Sequence, residues 1–229
     1  KKFYSCPDAF FLRTVTYTTA RIWGFLYFYD WMNPDPRRQA RQDFYAMAAY
    51  AGGLVGGVLS NPFEIVFTRM QADEMYPEQC RRNYKNFADG LIKVAQEGAL
   101  FRGALANGMR LGGLTAVSTG VYDWMKENGY FFFGPVGVVR LTGTVCGVSV
   151  AMLMSLPFDA VRTRLHTMRP LPNGAYPYSG TIDCICKMLK YECNKKKQAN
   201  IPTAFMTGAQ AYFVRLFLIG LSSTVTDCL

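Results

Sequence analysis

The chain has 229 residues, of which 50% are hydrophobic and only 18% charged, whereas a soluble domain carries about 25% charged residues. This composition excludes a disordered or fibrous chain and favours a membrane protein, with a soluble two-domain protein as the alternative. The net charge of +9 suits an anionic solute or an anionic lipid surface, and no nucleic-acid partner is predicted because the basic residues form no single basic face.

Apolar runs give the predicted helices in chain order. Phe44–Phe63 and Leu141–Phe158 contain no charged residue, and each approaches the length of a bilayer span. The predicted spans cover residues 10 to 30, 44 to 70, 104 to 126, 135 to 165 and 203 to 228, with surface helices near residues 86 to 97 and 179 to 192. The sequence therefore predicts an all-α membrane protein with five spans.

Catalytic and metal-binding side chains are scarce in this sequence. The 7 cysteines are an odd number, and Cys184 and Cys186 have a spacing that fits neither a zinc nor a redox motif, so we expect free thiols. His166 is the only histidine, which leaves too little material for a multi-histidine metal site or a Ser-His-Asp triad. We therefore predict no catalytic site, no metal site, no cofactor and no enzyme activity.

A motif in the middle of the chain occurs twice. Pro62–Arg69, with the sequence PFEIVFTR, recurs as Pro157–Arg164, with the sequence PFDAVRTR. The register is kept downstream, where Tyr84, Asp89, Lys93 and Glu97 correspond to Tyr178, Asp183, Lys187 and Glu192. Such self-similarity indicates a repeat architecture.

Glycine and proline positions predict how the helices of each repeat pack and bend. Three glycine pairs have the small-xxx-small spacing that lets helix backbones approach closely: Gly52 with Gly56, Gly53 with Gly57, and Gly143 with Gly147. Pro62 and Pro157 each follow such a run and are predicted to kink the helix there.

Three arginines occupy one equivalent position in three repeats. Arg13 follows Tyr4 by the same spacing as Arg110 follows Phe101 and Arg215 follows Met206. We therefore predict one domain over residues 1–229, made of the second half of repeat one (1–43), repeat two (44–130) and repeat three (131–229). Arginines inside apolar spans are candidate functional residues.

These motifs resemble those of the mitochondrial carrier family, whose repeats carry a Pro-x-acid-x-x-base-x-base signature. A complete copy of the signature stands in repeat three, at Pro157–Arg164. The family's other elements stand in repeat two, at Glu97–Gly98, Phe101–Gly103 and Tyr122–Lys126. Within the family, Leu12–Arg21, Pro62–Met70 and Arg81–Asn86 resemble the 2-oxoglutarate/malate branch. The resemblance covers nearly the whole chain.

The resemblance implies tilted, Pro-kinked helix pairs around a cavity that opens alternately to the two sides of the mitochondrial inner membrane. It implies a multi-pass exchanger of dicarboxylate anions, with residue 1 on the matrix side and residue 229 on the intermembrane-space side. Arg13, Arg110 and Arg215 would contact the substrate, with Arg21 as an accessory charge two turns beyond Arg13. Guanidinium groups can hold carboxylates bidentately, which suits such a substrate.

The family's gates are also implied, with departures. The matrix gate would comprise Glu64, Asp159, Arg162 and Gln71, and the cytoplasmic gate Asp123 and Lys126. Glu64 is expected to pair with Arg162, whereas Phe67 stands where the other copy has its first base, and Asp159 is expected to lack a base. His166, in the place of Gln71 in the last repeat, is expected to be a polar residue near the matrix mouth.

The first helix of the family has no counterpart in this sequence, which leaves a second hypothesis open. A carrier fold with an open side would need a cover for its polar groups. The alternative is therefore a transport-inactive accessory subunit of a larger inner-membrane complex, for example a respiratory complex, in which other membrane subunits cover the side of the missing helix. Inner-membrane lipid is the expected surrounding, with cardiolipin as a bound lipid.

Overall fold

The computed structural model describes residues 7–33, 42–76, 81, 82, 84, 86–133, 136–169 and 176–192. These residues form seven α-helices and no strand. The helices are α1 (Pro7–Met32), α2 (Gln42–Leu59), α3 (Asn61–Met75), α4 (Phe87–Gln96), α5 (Ala104–Phe133), α6 (Val136–Thr167) and α7 (Thr181–Lys187), and α7 continues as one turn of π-helix, Met188–Glu192.

The first four predicted spans and both surface helices correspond to helices of the structure, and the predicted span over residues 203 to 228 lies outside the described part. The span predicted over residues 44 to 70 is two helices, α2 and α3, which meet at Ser60. Pro62 is the second residue of α3, where its missing N–H is not needed for helical bonding. Pro157 instead lies inside α6, which continues past it to Thr167; a kink there stays a prediction.

Side-chain amides satisfy backbone carbonyls around the α2–α3 break. Asn107 of α5 donates from Nδ2 to the carbonyl of Gly57 over 2.9 Å, and Asn61 donates from Nδ2 to the carbonyl of Leu100 over 2.7 Å. Both asparagines are fully buried. Because a buried carbonyl without a partner is costly, the bond from Asn107 stabilises the end of α2, and the bond from Asn61 links the break to the turn before α5.

The long helices pack side by side in the order α1, α2, α5 and α6, and glycines determine how closely they approach. Gly52 faces α1, where a Cβ would lie 2.7 Å from the backbone nitrogen of Phe25. Gly57 faces α5, where a Cβ would lie 2.7 Å from Cα of Gly108. Gly147 of α6 meets the carbonyl of Ser118 in the same way, at 2.8 Å. The close packing expected from the small-xxx-small spacing is confirmed.

The two surface helices repeat one another in three dimensions. In α4, Lys93 bonds Asp89 over 2.8 Å and lies 5.5 Å from the ring centre of Tyr84. In α7 the same three residue types recur: Lys187 bonds Asp183 over 2.8 Å and lies 5.8 Å from the ring centre of Tyr178.

One helical stretch among the described residues is long and apolar enough to cross a membrane, Thr142–Thr167 with 26 residues, and Phe44–Leu59 is a shorter apolar helix. The outer face of α1 exposes large apolar side chains, including Trp23 and Trp31. Five spans stay a prediction.

Candidate functional site

A cavity of about 420 Å³ lies between α1, α3, α5 and α6. Its lining contains six of the residues that the sequence assigns to the substrate site and the matrix gate: Arg13, Glu64, Gln71, Arg110, Asp159 and Arg162. The remaining described walls are small polar side chains and apolar ones, such as Thr68 and Leu114. Residues from four separate helices therefore converge on one cavity.

Five charged groups form an alternating chain along the cavity. Arg13 Nη1 donates to Glu64 Oε1 over 2.8 Å, and the same oxygen accepts a hydrogen bond from Arg162 Nη2. Arg162 Nη1 then donates to Asp159 Oδ1 over 3.3 Å, and Asp159 Oδ1 lies 3.5 Å from Arg110 Nη1. Each charge thus has an opposite neighbour, which offsets the cost of burying it.

The chain of charges agrees with one expectation and corrects another. The Glu64–Arg162 contact that the family resemblance implies is present. The expectation that Asp159 lacks a base is wrong, because Arg162 of its own helix and Arg110 of α5 both approach it. Sequence reasoning missed these contacts because the family pattern pairs an acid only with a base of the next repeat. In the structure, one arginine side chain is long enough to approach two carboxylates.

The described residues that line the cavity carry a net positive charge. Three guanidinium groups stand against two carboxylates, which leaves an excess of one positive charge. Arg13 has a side-chain exposure of 18%, against 8% for Arg162 and 4% for Glu64. An anion that enters the cavity therefore meets Arg13 more readily than it meets Arg162.

Arg13 is also held by two aromatic rings. Its Cζ lies 4.9 Å from the ring centre of Phe67 in α3 and 5.5 Å from that of Phe10 in α1. The two rings are 6.0 Å apart. Cation–π contacts of this kind fix the direction of a guanidinium group.

Arg21 does not line this cavity. It lines a second one of about 180 Å³, together with residues of α1, α2 and α5 that include Phe25, Tyr45 and Thr119. The Arg21 Nε is buried and has no hydrogen-bond partner within the described ranges. Tyr17, which lines the larger cavity, lies beside the Arg21 guanidinium with its ring centre 5.9 Å away.

A further ion pair, between the buried Arg69 and the exposed Glu97, links three helical segments. Arg69 is 1% exposed and donates from Nη1 to Glu97 Oε2 over 2.7 Å. Its Nε donates to the carbonyl of His166 over 3.0 Å. The sequence contained a signal for this pair, since Arg69 and Glu97 recur as Arg164 and Glu192, but sequence reasoning did not place it in the site.

The structure adds to what the sequence says of His166, which is expected to be a polar residue near the matrix mouth. The side chain is fully buried, and neither ring nitrogen has a hydrogen-bond partner among the described residues. Its ring packs behind the turn before α5, where Gly103 has a φ of 75° and a Cβ would lie 3.4 Å from His166 Nε2. Gly103 is suited to this position because its φ lies in the left-handed region, which residues with a side chain rarely adopt.

The other sequence-assigned residues lie outside this network. Gln71 is exposed at the cavity. In α5, Asp123 is half-buried and Lys126 exposed, and neither forms a salt bridge with a residue that the structure describes. Arg215 lies outside the described residues. Where the chain is described, no three His, Cys, Asp or Glu side chains group as metal ligands.

Comparison with known proteins adds a family match. Residues 44–131 match the family described as mitochondrial carrier protein. The chain is 32% identical over 222 residues to the mitochondrial dicarboxylate/tricarboxylate transporter of Arabidopsis thaliana, covering 93% of this chain and 71% of that protein. It is 31% identical over 222 residues to the probable mitochondrial 2-oxoglutarate/malate carrier protein of Dictyostelium discoideum, covering 93% of this chain and 66% of that protein.

A more similar relative carries a less specific name. The macronuclear solute carrier homolog of Oxytricha fallax is 58% identical over 219 residues, which are 96% of this chain and 59% of that relative. The chain therefore spans less than two thirds of the length of that curated relative.

Proposed function

The chain belongs to the mitochondrial carrier family, and we propose that it is a multi-pass solute carrier of the mitochondrial inner membrane that exchanges dicarboxylates of the 2-oxoglutarate/malate type by alternating access. The observation that carries the proposal is the cavity in which Arg13, Arg110 and Arg162 outnumber the carboxylates. The names of the Arabidopsis and Dictyostelium relatives support the substrate class.

A dicarboxylate suits this cavity for electrostatic reasons. A carboxylate loses its hydration when it enters a protein, and only charge-assisted hydrogen bonds of comparable strength offset that loss. Arg13 and Arg110 already hold carboxylates of the protein, Glu64 and Asp159. A substrate with two carboxylates can replace both of these acids without leaving a guanidinium group unpaired, whereas a monocarboxylate can replace only one.

The proposal assigns a role to each part of the fold. Arg13, Arg110 and Arg215 contact the substrate, and Arg21 provides an accessory charge in the neighbouring cavity. Glu64, Asp159, Arg162 and Gln71 close the matrix side, and Asp123 and Lys126 the cytoplasmic side. Residues 1–43, 44–130 and 131–229 act as parts of three repeats, with residue 1 on the matrix side and residue 229 on the intermembrane-space side.

Exchange in liposomes tests the proposal. Purified protein should exchange internal malate for external radiolabelled 2-oxoglutarate, and Arg110→Gln should raise KM about tenfold or more, because a charge-assisted hydrogen bond contributes about 1.5–3 kcal/mol. Arg81→Gln is the matched control, since Arg81 is exposed and bonds only the carbonyl of Tyr76 within the described part. Native protein that folds but exchanges no dicarboxylate would contradict the proposal and favour the accessory-subunit hypothesis.

A further inference from the structure

The residue three positions after the acid differs between the two copies of the repeated motif. In repeat three it is Arg162, whose side chain bonds both Asp159 of its own helix and Glu64 of α3. Repeat two has Phe67, so Glu64 has no base three residues later on its own helix. The acid of repeat two therefore lacks the local partner that the acid of repeat three has.

Arg13 of α1 occupies the place that this missing base would take. Its Nη1 lies 2.8 Å from Glu64 Oε1, and its guanidinium is 4.9 Å from the centre of the Phe67 ring. Phe67 follows Glu64 by three residues and so lies on the same side of α3. The ring that replaces the base is thus the surface on which the substitute guanidinium rests.

We infer that Phe67 is a positioning residue that recruits Arg13 as the substitute base of Glu64, so that one guanidinium group serves both the substrate site and the closure of the matrix side. This inference rests on the proposed function for the substrate part of that double role. The pairing itself rests on the contacts among Arg13, Phe67 and Glu64.

The double role of Arg13 couples substrate binding to the opening of the matrix side. Glu64 is 4% exposed and is held by two guanidinium groups, of which Arg13 is the more exposed at 18%. A substrate carboxylate that binds Arg13 competes with Glu64 for the same donor atoms. The Glu64 carboxylate then keeps its hydrogen bond from Arg162, so the ion pair between α1 and α3 is released, whereas the ion pair between α3 and α6 stays.

A purely structural role for Phe67 makes a different prediction. If the ring only fills space beside Phe10, replacing it changes the packing but leaves the energetic coupling between Arg13 and Glu64 as it was. If the ring positions Arg13, the coupling depends on the residue at position 67. A base at this position should abolish the coupling, because it can bond Glu64 from three residues away, as Arg162 bonds Asp159.

A double-mutant cycle separates these cases. The full chain in detergent carries Arg13→Gln, Glu64→Gln or both, and the thermal unfolding midpoint is measured without substrate. The cycle is repeated in the background of Phe67→Arg and in that of Phe67→Tyr, the matched control that keeps the ring. We expect a coupling of about 2 to 4 °C with Phe67 and with Phe67→Tyr, and none with Phe67→Arg.

The same proteins in liposomes give a second readout. Phe67→Arg should lower KM for the dicarboxylate together with kcat, because the substrate no longer displaces Glu64 and binding no longer opens the gate. Equal coupling in all three backgrounds, or none with Phe67, would overturn the inference. Coupling that depends on Phe67 in a protein that exchanges no dicarboxylate would support the positioning role and overturn the proposed substrate instead.

The inference can still be tested if one of the variants does not fold. If Glu64→Gln is not recovered as folded protein, the effect of Arg13→Gln alone is compared between the Phe67 and Phe67→Arg backgrounds. The inference requires that Arg13→Gln clearly lowers the unfolding midpoint in the Phe67 background and lowers it markedly less in the Phe67→Arg background. Equal decreases would overturn it.

Discussion

Arg69 Nη1 lies 2.7 Å from Glu97 Oε2, although the two residues belong to different helical segments and differ strongly in exposure, with side-chain values of 1% and 36%. Arg69 also donates to the carbonyl of His166 at the end of α6. The pair therefore ties α3 to the turn before α5 and, through the backbone, to α6.

Neutralising Glu97 should destabilise the fold. Glu97→Gln leaves the Arg69 guanidinium buried with one charged partner fewer, and breaking a buried pair costs about 3–5 kcal/mol, a figure that the partial exposure of Glu97 reduces. We expect a lower thermal unfolding midpoint in detergent. Asp30→Asn, a change at an exposed acid near the end of α1, is the control and should cause no loss. An unchanged midpoint for Glu97→Gln would mean that the pair contributes nothing to stability.

Exchanging the charges of Glu64 and Arg162 should fail to restore function. An isolated ion pair tolerates such a swap, but Glu64 is also bonded by Arg13, and Arg162 also contacts Asp159. Glu64→Arg with Arg162→Glu places two guanidinium groups at 13 and 64 and two carboxylates at 159 and 162 next to each other. Liposome exchange and the unfolding midpoint should both stay below those of the native protein, and full rescue would show that the pair acts alone.

Adding a methyl group at Gly57 should separate α2 from α5. The new Cβ would lie 2.7 Å from Cα of Gly108. Since that atom belongs to the backbone and cannot rotate away, the helices must move apart, at a cost of about 1–3 kcal/mol. Gly113→Ala is the matched control on α5, because nothing lies within 4 Å of its Cβ position and alanine is the better helix former by about 1 kcal/mol. The unfolding midpoint should fall for Gly57→Ala and hold or rise for Gly113→Ala; equal effects would contradict the close approach.

The stability of the start of α7 should depend on pH through Asp183. The hydrogen bond from the Lys187 side chain, followed by that from the Ser179 backbone amide, holds the pKa of the Asp183 carboxyl below its ordinary value. A carboxyl with a lowered folded pKa stabilises the fold above its unfolded pKa, and this contribution is lost as the pH falls below about 4 through the folded pKa.

Amide hydrogen exchange gives the measurement for Asp183. Protection of the Ser179 amide should decrease as the pH falls through this range, beyond the intrinsic pH dependence of exchange. Asp183→Asn should remove this change, because the amide side chain does not titrate. A pH dependence that persists in Asp183→Asn would assign the effect to another group.

The sequence by itself determined the repeat, the first four long helical regions and the surface helices, because apolar periodicity, glycine spacing and proline position are local properties of the chain. Through the resemblance to the carrier family it also predicted that Glu64 and Arg162 meet, since in that family the acid of one repeat bonds the first base of the next. The close approach of α2 to its neighbours likewise followed from Gly52, Gly53, Gly56 and Gly57.

The tertiary structure alone decided the other contacts of the site. Which carboxylate Arg13 reaches depends on the distance between α1 and α3 and on the ring of Phe67, and neither is encoded in the spacing of residues along one helix. The burial of His166 places its ring against the left-handed turn at Gly103, which belongs to a different segment. Arginine side chains are long and can bond two acids at once. The repeat therefore determines the position of each arginine along its helix, whereas the packing of the helices determines which acids its guanidinium group reaches.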